Sequence, residues 1–370
     1  MTTMTSTTET GFVPLTVRSV ERDTSSGDTV DSVVVTFETG PDSGATPMPF
    51  EHGQHLTLRR EFDGVEVRRS YSICSPAPDG ALRIAIKRVP GGVFSTWATT
   101  ELQRGDTVDV LPPAGHFTHR LDPVAERSYT CLAAGSGITP IFSIMATILA
   151  REPRSRVTLL FVNRTSLSTM LLDDLHDLRD RYLGRVTINF AFTREQSGGE
   201  LLSGRPDRGR LDSLIAAGFL PADTDHAFLC GPIDLISEAE AALVDAGMSR
   251  DAVHREIFTT NQPGTVRLAP QEVTETSVAV CHGSATLHGR TSTFELYEGD
   301  SVLDAVQRVR PDAPFSCRSG VCSTCQAVVR SGSVEMAVNY GLTDDEVARG
   351  YVLTCQSHPT TDTVDVDYDA

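Results

Sequence analysis

The 370-residue chain contains one lysine, Lys87, against thirty-one arginines. We read this as a composition bias that carries no chemistry of its own. Bases are scarce altogether: 32 Lys and Arg face 49 Asp and Glu, a formal net charge of -17 at pH 7. Such an excess of acids repels nucleic acid and excludes it as a partner. The first ten residues have neither a basic start nor an apolar core, so a frayed tail on a cytoplasmic protein is expected rather than an export signal. A long uninterrupted apolar run is also missing. Ser128 to Ala150 carries no charge, but Gly135, Ser136, Gly137 and Pro140 interrupt it. The stretch fits a buried strand, a turn and a helix better than a membrane span, and no membrane contact is expected. No internal repeat marks a solenoid. Of the eight cysteines, Cys74, Cys131, Cys230 and Cys281 are scattered singly in apolar surroundings, which points to reduced thiols and not to a disulfide framework.

A chain of this length is expected to fold as two or three domains. From Gly11 to about His119 short alternating runs such as Asp31 to Phe37, His55 to Leu58 and Leu82 to Ile86 are separated by Gly, Pro and Asp. That pattern predicts a small all-β barrel over residues 11–120. From Tyr129 apolar strands alternate with helical segments. Tyr129 to Ala133 precedes Pro140 to Ala150, Arg156 to Val162 precedes Met170 to Tyr182, Val186 to Phe192 follows, and Ala227 to Cys230 precedes Pro232 to Ala246. A parallel sheet covered on both faces is expected over residues 121–258. Residues 259–276 lack periodicity and read as a linker. A third domain is expected over 277–370, where about half of the net charge lies: fifteen acids against six bases follow position 270. Asp344, Asp345 and Glu346 are candidate charges for steering it onto a basic partner.

The third domain contains Cys317, Cys322, Cys325 and Cys355, in the spacing Cys-x4-Cys-x2-Cys followed by a distant fourth cysteine. This spacing wraps three thiolates around a two-iron, two-sulfur cluster on one loop and brings the fourth from elsewhere. Gly320 and the small residues Ser316, Ser319, Ser323 and Thr324 let amides approach the sulfurs and tune the potential. A structural zinc site is the alternative, although it usually pairs two Cys-x2-4-Cys knuckles and only one such half is present. The last ninety or so residues resemble the plant-type ferredoxin family, which implies a β-grasp fold.

In the barrel segment, Arg69-Ser70-Tyr71-Ser72 places a guanidinium, a ring and a hydroxyl on a strand. A flavin dinucleotide requires such a set: a fork for its pyrophosphate, a flat stacking partner and a hydrogen-bond donor at N5. An edge-strand Arg beside a packed Tyr is the plain structural alternative. Pro90-Gly91-Gly92-Val93-Phe94-Ser95-Thr96-Trp97 then supplies a glycine turn into a helix expected to be capped by Ser95, whose bare amides suit a phosphate. The two motifs in this order resemble the flavin domain of the ferredoxin reductase family. The resemblance implies FAD, with Arg69, Tyr71, Ser72, Gly92, Phe94, Ser95 and Thr96 as contacts and Lys87, Arg88 and Val89 along the ribityl chain.

Ala134-Gly135-Ser136-Gly137-Ile138-Thr139-Pro140 follows a strand and opens a helix, so a nucleotide phosphate can approach Gly135 and Gly137 closely. Ordinary strand-to-helix geometry is its alternative. It resembles the nicotinamide-binding loop of the same reductases, where Thr139 also reaches the flavin. The next strand ends in Asn163 and Arg164, where a doubly wound sheet presents ligands. Arg164 suits the extra phosphate of NADPH where NADH sites often carry an acid; a solvated surface arginine is the other reading. Cys230-Gly231-Pro232 resembles the family segment beside the nicotinamide, with Cys230 as a small neighbour of the ring rather than a nucleophile. The same resemblance places Glu256 and Phe258 near the flavin edge, and gives Tyr71, Ser72, Cys230 and Glu256 as the groups around the reacting atoms.

The order flavin, nicotinamide, ferredoxin resembles the reductase components of bacterial multicomponent oxygenases. It implies that NADPH or NADH gives a hydride to the flavin, which passes single electrons through the cluster to a separate oxygenase. Within that family, the text from Val334 to Leu342 and from Gly350 to Pro359 is most similar to the reductases of phenylacetyl-CoA epoxidation, whose partner is a di-iron oxygenase. Reductases of Rieske ketosteroid 9α-hydroxylases share the order and the motifs. A reading from another class, a non-catalytic iron-sulfur redox sensor, would bring a DNA-binding or signalling domain, and the sequence offers none.

Overall fold

The computed structural model describes residues 11–258, apart from 28, 41–46, 78–79 and 197–198, and residues 278–370. The expected tail and linker therefore lie outside the described residues. The first sheet comprises β1 (Val13–Ser26), β2 (Thr29–Phe37), β3 (His55–Phe62), β4 (Val65–Ser72), β5 (Arg83–Lys87) and β6 (Thr107–Val110), with helix α1 (Val93–Thr100) after β5. The strands pair in the order β4-β3-β6-β1-β2-β5, and a bridge from Ile73 to Ile84 returns the end of β4 to β5. Leu15, Val17, Val33, Val35, Leu56, Leu58 and Ile84 fill its interior, and Phe94 and Trp97 of α1 plug one end. The opposite side is not left to water. Val34, Cys74, Ala85 and Phe117 pack into the core of the next domain, so β2 buries both faces.

Ser95 does not cap α1. The N-cap is Gly92, without a side-chain hydrogen bond. Ser95 lies one turn in, where its hydroxyl accepts from the Val89 amide and donates to the Gly92 carbonyl. The hydroxyl thus shapes the loop, and the first amides of the helix keep no side-chain partner.

The second sheet is wholly parallel, in the order β11-β10-β7-β8-β9. It comprises β7 (Ser128–Ala134), α2 (Ile138–Arg151), β8 (Arg156–Asn163), α3 (Leu172–Arg181), β9 (Val186–Phe192), α4 (Arg208–Ala216), β10 (His226–Gly231), α5 (Ile233–Asp245) and β11 (Val253–Ile257). The uncharged stretch from Ser128 is therefore strand, a 3-10 turn at Gly135–Gly137 and the buried helix α2. One core lies under α2 and α3, and another under α4 and α5. Because β8 continues to one side of β7 and β10 to the other, the strand order reverses at β7. The carboxyl ends there form the crevice in which such sheets hold ligands.

The third sheet runs β13-β12-β18-β14-β16 and is mixed. The elements of this domain are β12 (Ala279–Leu287), β13 (Arg290–Tyr297), α6 (Val302–Val309), β14 (Gln326–Ser331), β15 (Val334–Met336), α7 (Asp344–Ala348), β16 (Tyr351–Leu353), β17 (Ser357–Pro359) and β18 (Thr363–Asp367), with β15 and β17 paired in a small sheet of their own. Ser301 and Asp304 form a reciprocal capping box that starts α6. Leu303, Ala305 and Val306 then pack with Phe294, Leu296 and Val364. Among the described residues no helix is long and apolar enough to cross a membrane.

Candidate functional site

Between α6 and β14 the chain forms an irregular loop that cannot be replaced by regular structure without losing its concavity. Arg318, Gly320 and Ser323 take positive φ angles of 52, 74 and 54°. At Gly320 a Cβ would lie 2.8 Å from the Val338 carbonyl oxygen, so only glycine fits. The Ser319 amide points at Cys317 Sγ from 3.4 Å, and the Cys317 amide at Cys322 Sγ from 3.5 Å. The four thiols act on one another's ionisation in two pairs, Cys317 with Cys322 and Cys325 with Cys355. The Cys322 thiol, with the Ser319 amide, holds Cys317 well below the ordinary thiol range. Four clustered cysteines and amides aimed at sulfur fit a 2Fe-2S cluster, which Cys317, Cys322, Cys325 and Cys355 would hold. Arg318 fixes the loop from below: it pairs with Asp304 at 2.7 Å, and its carbonyl accepts from Gln356 Nε2 at 2.9 Å.

That loop rests on the barrel strand that carries the flavin motif. Ser70 donates to Ser316 at 2.8 Å, and Thr324, between Cys322 and Cys325, stands 3.4 Å from His55 Nε2 and 3.5 Å from Thr57 Oγ1. Arg68, only 4% exposed, lies 4.0 Å over the Phe315 ring and reaches the Ala313 carbonyl. Val321 and Tyr340 touch the core of the parallel-sheet domain. The cluster loop thus lies where all three sheets meet. Sequence reasoning missed Arg68, His55 and Phe315, because the contacts join segments more than two hundred residues apart.

Of the flavin-motif residues, Arg69 donates to the Arg68 carbonyl at 2.7 Å, and the Tyr71 ring lies 5.8 Å from that of Phe94. Burial pushes the Tyr71 hydroxyl far above its usual range. The ring of Phe94 is 1% exposed in the barrel core, so only its backbone can face a ligand. Thr96 donates its amide to Gly92. The uncapped start of α1, with Gly91 at φ 74°, offers donors for a pyrophosphate. Lys87 ends β5, while Arg88 donates its amide to the Asp31 carbonyl. Burial, and secondarily the Arg164 charge, lowers the Lys87 ammonium.

At the switch point, Gly137 and Gly231 allow two loops to touch. A Cβ on Gly137 would lie 2.2 Å from the Cys230 carbonyl oxygen, and one on Gly231 would lie 2.8 Å from the Ala134 Cβ. Thr139 donates to the Ser136 carbonyl at 3.0 Å, and Pro232 is the N-cap of α5. Asn163 is 4% exposed, yet both polar atoms of its side-chain amide lack a partner among the described residues. A buried amide in that state is costly unless a ligand completes it, which fits a nucleotide at this edge. Arg164 is exposed. Beside it Glu195, absent from the sequence reading, accepts from the Ser166 amide and hydroxyl at 3.0 and 3.3 Å.

Glu256 joins the two domains. Its Oε2 accepts from Ser72 Oγ at 3.5 Å and from the Cys230 thiol at 3.9 Å. Enclosure pushes its carboxyl up to about 8, with those two donors opposing the shift. Burial and the adjacent Glu256 push the Cys230 thiol well above its ordinary range, which disfavours the thiolate that a nucleophile requires. Of the three acids considered for steering, Glu346 is buried: it accepts from the Thr343 amide at 2.8 Å and lies 3.8 Å from His116. Asp344 and Asp345 remain exposed.

The fold and this site define a modular flavin and iron-sulfur oxidoreductase that draws on a nicotinamide nucleotide. Family models match in the same order: an oxidoreductase FAD-binding domain at residues 28–119, an oxidoreductase NAD-binding domain at 131–241 and a 2Fe-2S iron-sulfur cluster binding domain at 285–360. The chain is 41% identical over 370 residues to one of the subunits of the 1,2-phenylacetyl-CoA epoxidase of Escherichia coli (strain K12), covering 98% of this chain and 99% of that protein. It is 34% identical over 348 residues to the ferredoxin reductase component of 3-ketosteroid-9-alpha-monooxygenase from Mycobacterium tuberculosis (strain ATCC 25618 / H37Rv), covering 92% of each. Among solved structures, phthalate dioxygenase reductase has the same fold, with a TM-score of 0.54 at 23% identity over 98% of this chain and all of that one. The chain belongs to the family of reductase components of multicomponent oxygenases. Its cofactors are FAD and a 2Fe-2S cluster, and its electron donor is a nicotinamide nucleotide.

Proposed function

We propose that this reductase takes electrons from NADPH and delivers them, in the cytoplasm, to a di-iron oxygenase that epoxidises the ring of phenylacetyl-CoA. The observation that carries the reading is the end-to-end likeness to the epoxidase component, 41% over 98% of the chain. FAD supplies the conversion of a two-electron donor into one-electron steps. Arg69 and the amides of Phe94 and Ser95 hold its phosphates beside Gly92 and Thr96, Tyr71 stacks on it, and Lys87, Arg88 and Val89 line its chain. Ser72, Cys230 and Glu256 surround the place where the nicotinamide arrives. Gly135, Gly137, Thr139, Asn163, Gly231 and Pro232 seat the nucleotide, and Arg164 faces its adenosine phosphate. Cys317, Cys322, Cys325 and Cys355 hold the cluster, which the Ser70–Ser316 contact keeps against the flavin strand.

Reconstitution tests this reading. Purified reductase, NADPH and the purified di-iron oxygenase are expected to consume phenylacetyl-CoA with matching NADPH oxidation. The second reading, a Rieske ketosteroid hydroxylase partner, rests on the 34% likeness to the steroid enzyme's reductase. Turnover with that oxygenase, and none with the di-iron enzyme, would favour it. A sensor would show no sustained turnover with either.

A further inference from the structure

At the amino-terminal edge of the parallel sheet, opposite Gly137 and Cys230, three histidines from separate segments converge. His119 ends the barrel segment, His226 opens β10 and His254 lies on β11. One ring nitrogen of each lies within 4.8 Å of one on each of the others. His254 Nε2 and His226 Nδ1 stand 3.3 Å apart. Two imidazoles bound to one tetrahedral zinc at about 2.0–2.1 Å hold their nitrogens roughly 3.3–3.4 Å apart, so this pair already has the spacing of ligands. The ring centroids of His226 and His254 are 5.4 Å apart and those of His119 and His254 are 5.8 Å apart, near the roughly 5 Å expected around such an ion. His119 and His226 are closer, at 3.8 Å, so the half-buried His119 ring must swing outward to bind.

The surroundings support the arrangement. The Phe228 ring stacks on His254 with centroids 4.6 Å apart, and Tyr129 stacks on His226 at 5.8 Å. The His119 amide donates to His52 Nε2 at 3.3 Å, which fixes the backbone that carries the third ring. Arg127 donates to His119 Nε2 at 3.3 Å but is held more closely by Glu152, at 2.9 Å. Ligation exchanges the longer contact for a metal bond, and the Glu152 carboxylate offsets the guanidinium charge. Imidazole groups without carboxylates or thiolates favour zinc and its d-block neighbours over magnesium or calcium.

We propose that His119, His226 and His254 form a binding site for a divalent transition cation, zinc above all, with water in the remaining position. The ion ties the last segment of the barrel domain to two strands of the parallel sheet, away from the flavin and the nucleotide. The test uses the holoprotein, stripped of loose metal with EDTA, dialysed against zinc sulfate and analysed for zinc and iron by mass spectrometry. About one zinc per chain is expected beside the cluster iron, with a higher melting temperature. His226→Asn and His119→Asn are each expected to weaken zinc binding at least ~10-fold while keeping wild-type iron and flavin content. No zinc on the wild-type protein, or equal zinc affinity in variants of normal iron and flavin content, would overturn the proposal. Where one variant fails to retain its flavin, the other decides.

Discussion

Glu256 is a residue whose surroundings strongly alter its chemistry. Its carboxyl titrates near 8 in the folded protein against an ordinary value of 4.5. Between those values the folded chain holds a proton that the unfolded chain has released, so this group lowers stability progressively as pH rises through the window. Glu256→Gln is therefore expected to gain thermal midpoint over wild type, with the gap widening from pH 5 to pH 8.5; a constant gap would contradict the shift. The same proton bears on activity. Flavin reduction by NADPH should fall as pH rises through about 8, and that limb should vanish in the Gln variant. Arg164→Ala tests the proposed nucleotide preference: kcat/KM for NADPH should drop roughly ten- to hundredfold, as expected for a lost charge-assisted contact, with NADH little changed. Equal losses with both nucleotides would remove the phosphate from Arg164. At this scale the sequence displayed the cysteines plainly, because a single loop dictates their spacing. It placed Glu256 near the flavin only through family likeness, and the bond to Ser72, 184 residues away, has no local signature.

The element that matters most is the cluster loop and its seat on β3 and β4. Arg68 stacks on Phe315 at 4.0 Å and on Phe12 at 5.0 Å, interactions of about 0.5–2 kcal/mol. Arg68→Ala should loosen the seat, slowing cluster reduction several-fold in stopped flow while NADPH:ferricyanide activity stays near wild type. Unchanged cluster reduction would show that the seat does not govern transfer. The strands and helices around the switch point were legible because long apolar runs alternate with amphipathic segments. Helix α4 was not, since it buries only Leu211 and Leu214 and its stripe is too short to stand out. The misplaced cap of α1 has a similar origin: serine at a helix start suggests a cap, but here Gly92 takes that position and Ser95 binds the loop behind it.

For the whole molecule, the barrel, the parallel sheet and the third domain all reach the loop that carries the cluster cysteines. The acidic third domain exposes Asp344 and Asp345, which we propose as steering charges toward the oxygenase. Electron delivery to the oxygenase should slow as salt rises, over a Debye length of ~8 Å at physiological ionic strength, and more weakly in the Asp344→Lys, Asp345→Lys variant. A second-order rate indifferent to both would leave the acids as solubilising charge. The domain order was readable from the motifs, whereas the convergence was not, because it depends on how separately encoded surfaces pack.

The order of carriers is tested most directly by anaerobic mixing of Cys322→Ser with NADPH. Removing one ligand should abolish the visible and paramagnetic signatures of the cluster but leave flavin reduction at the wild-type rate. Ferricyanide reduction should persist while delivery to the oxygenase is lost. A folded, flavin-loaded variant that cannot be reduced by NADPH, or one that still drives the oxygenase without its cluster, would contradict the account.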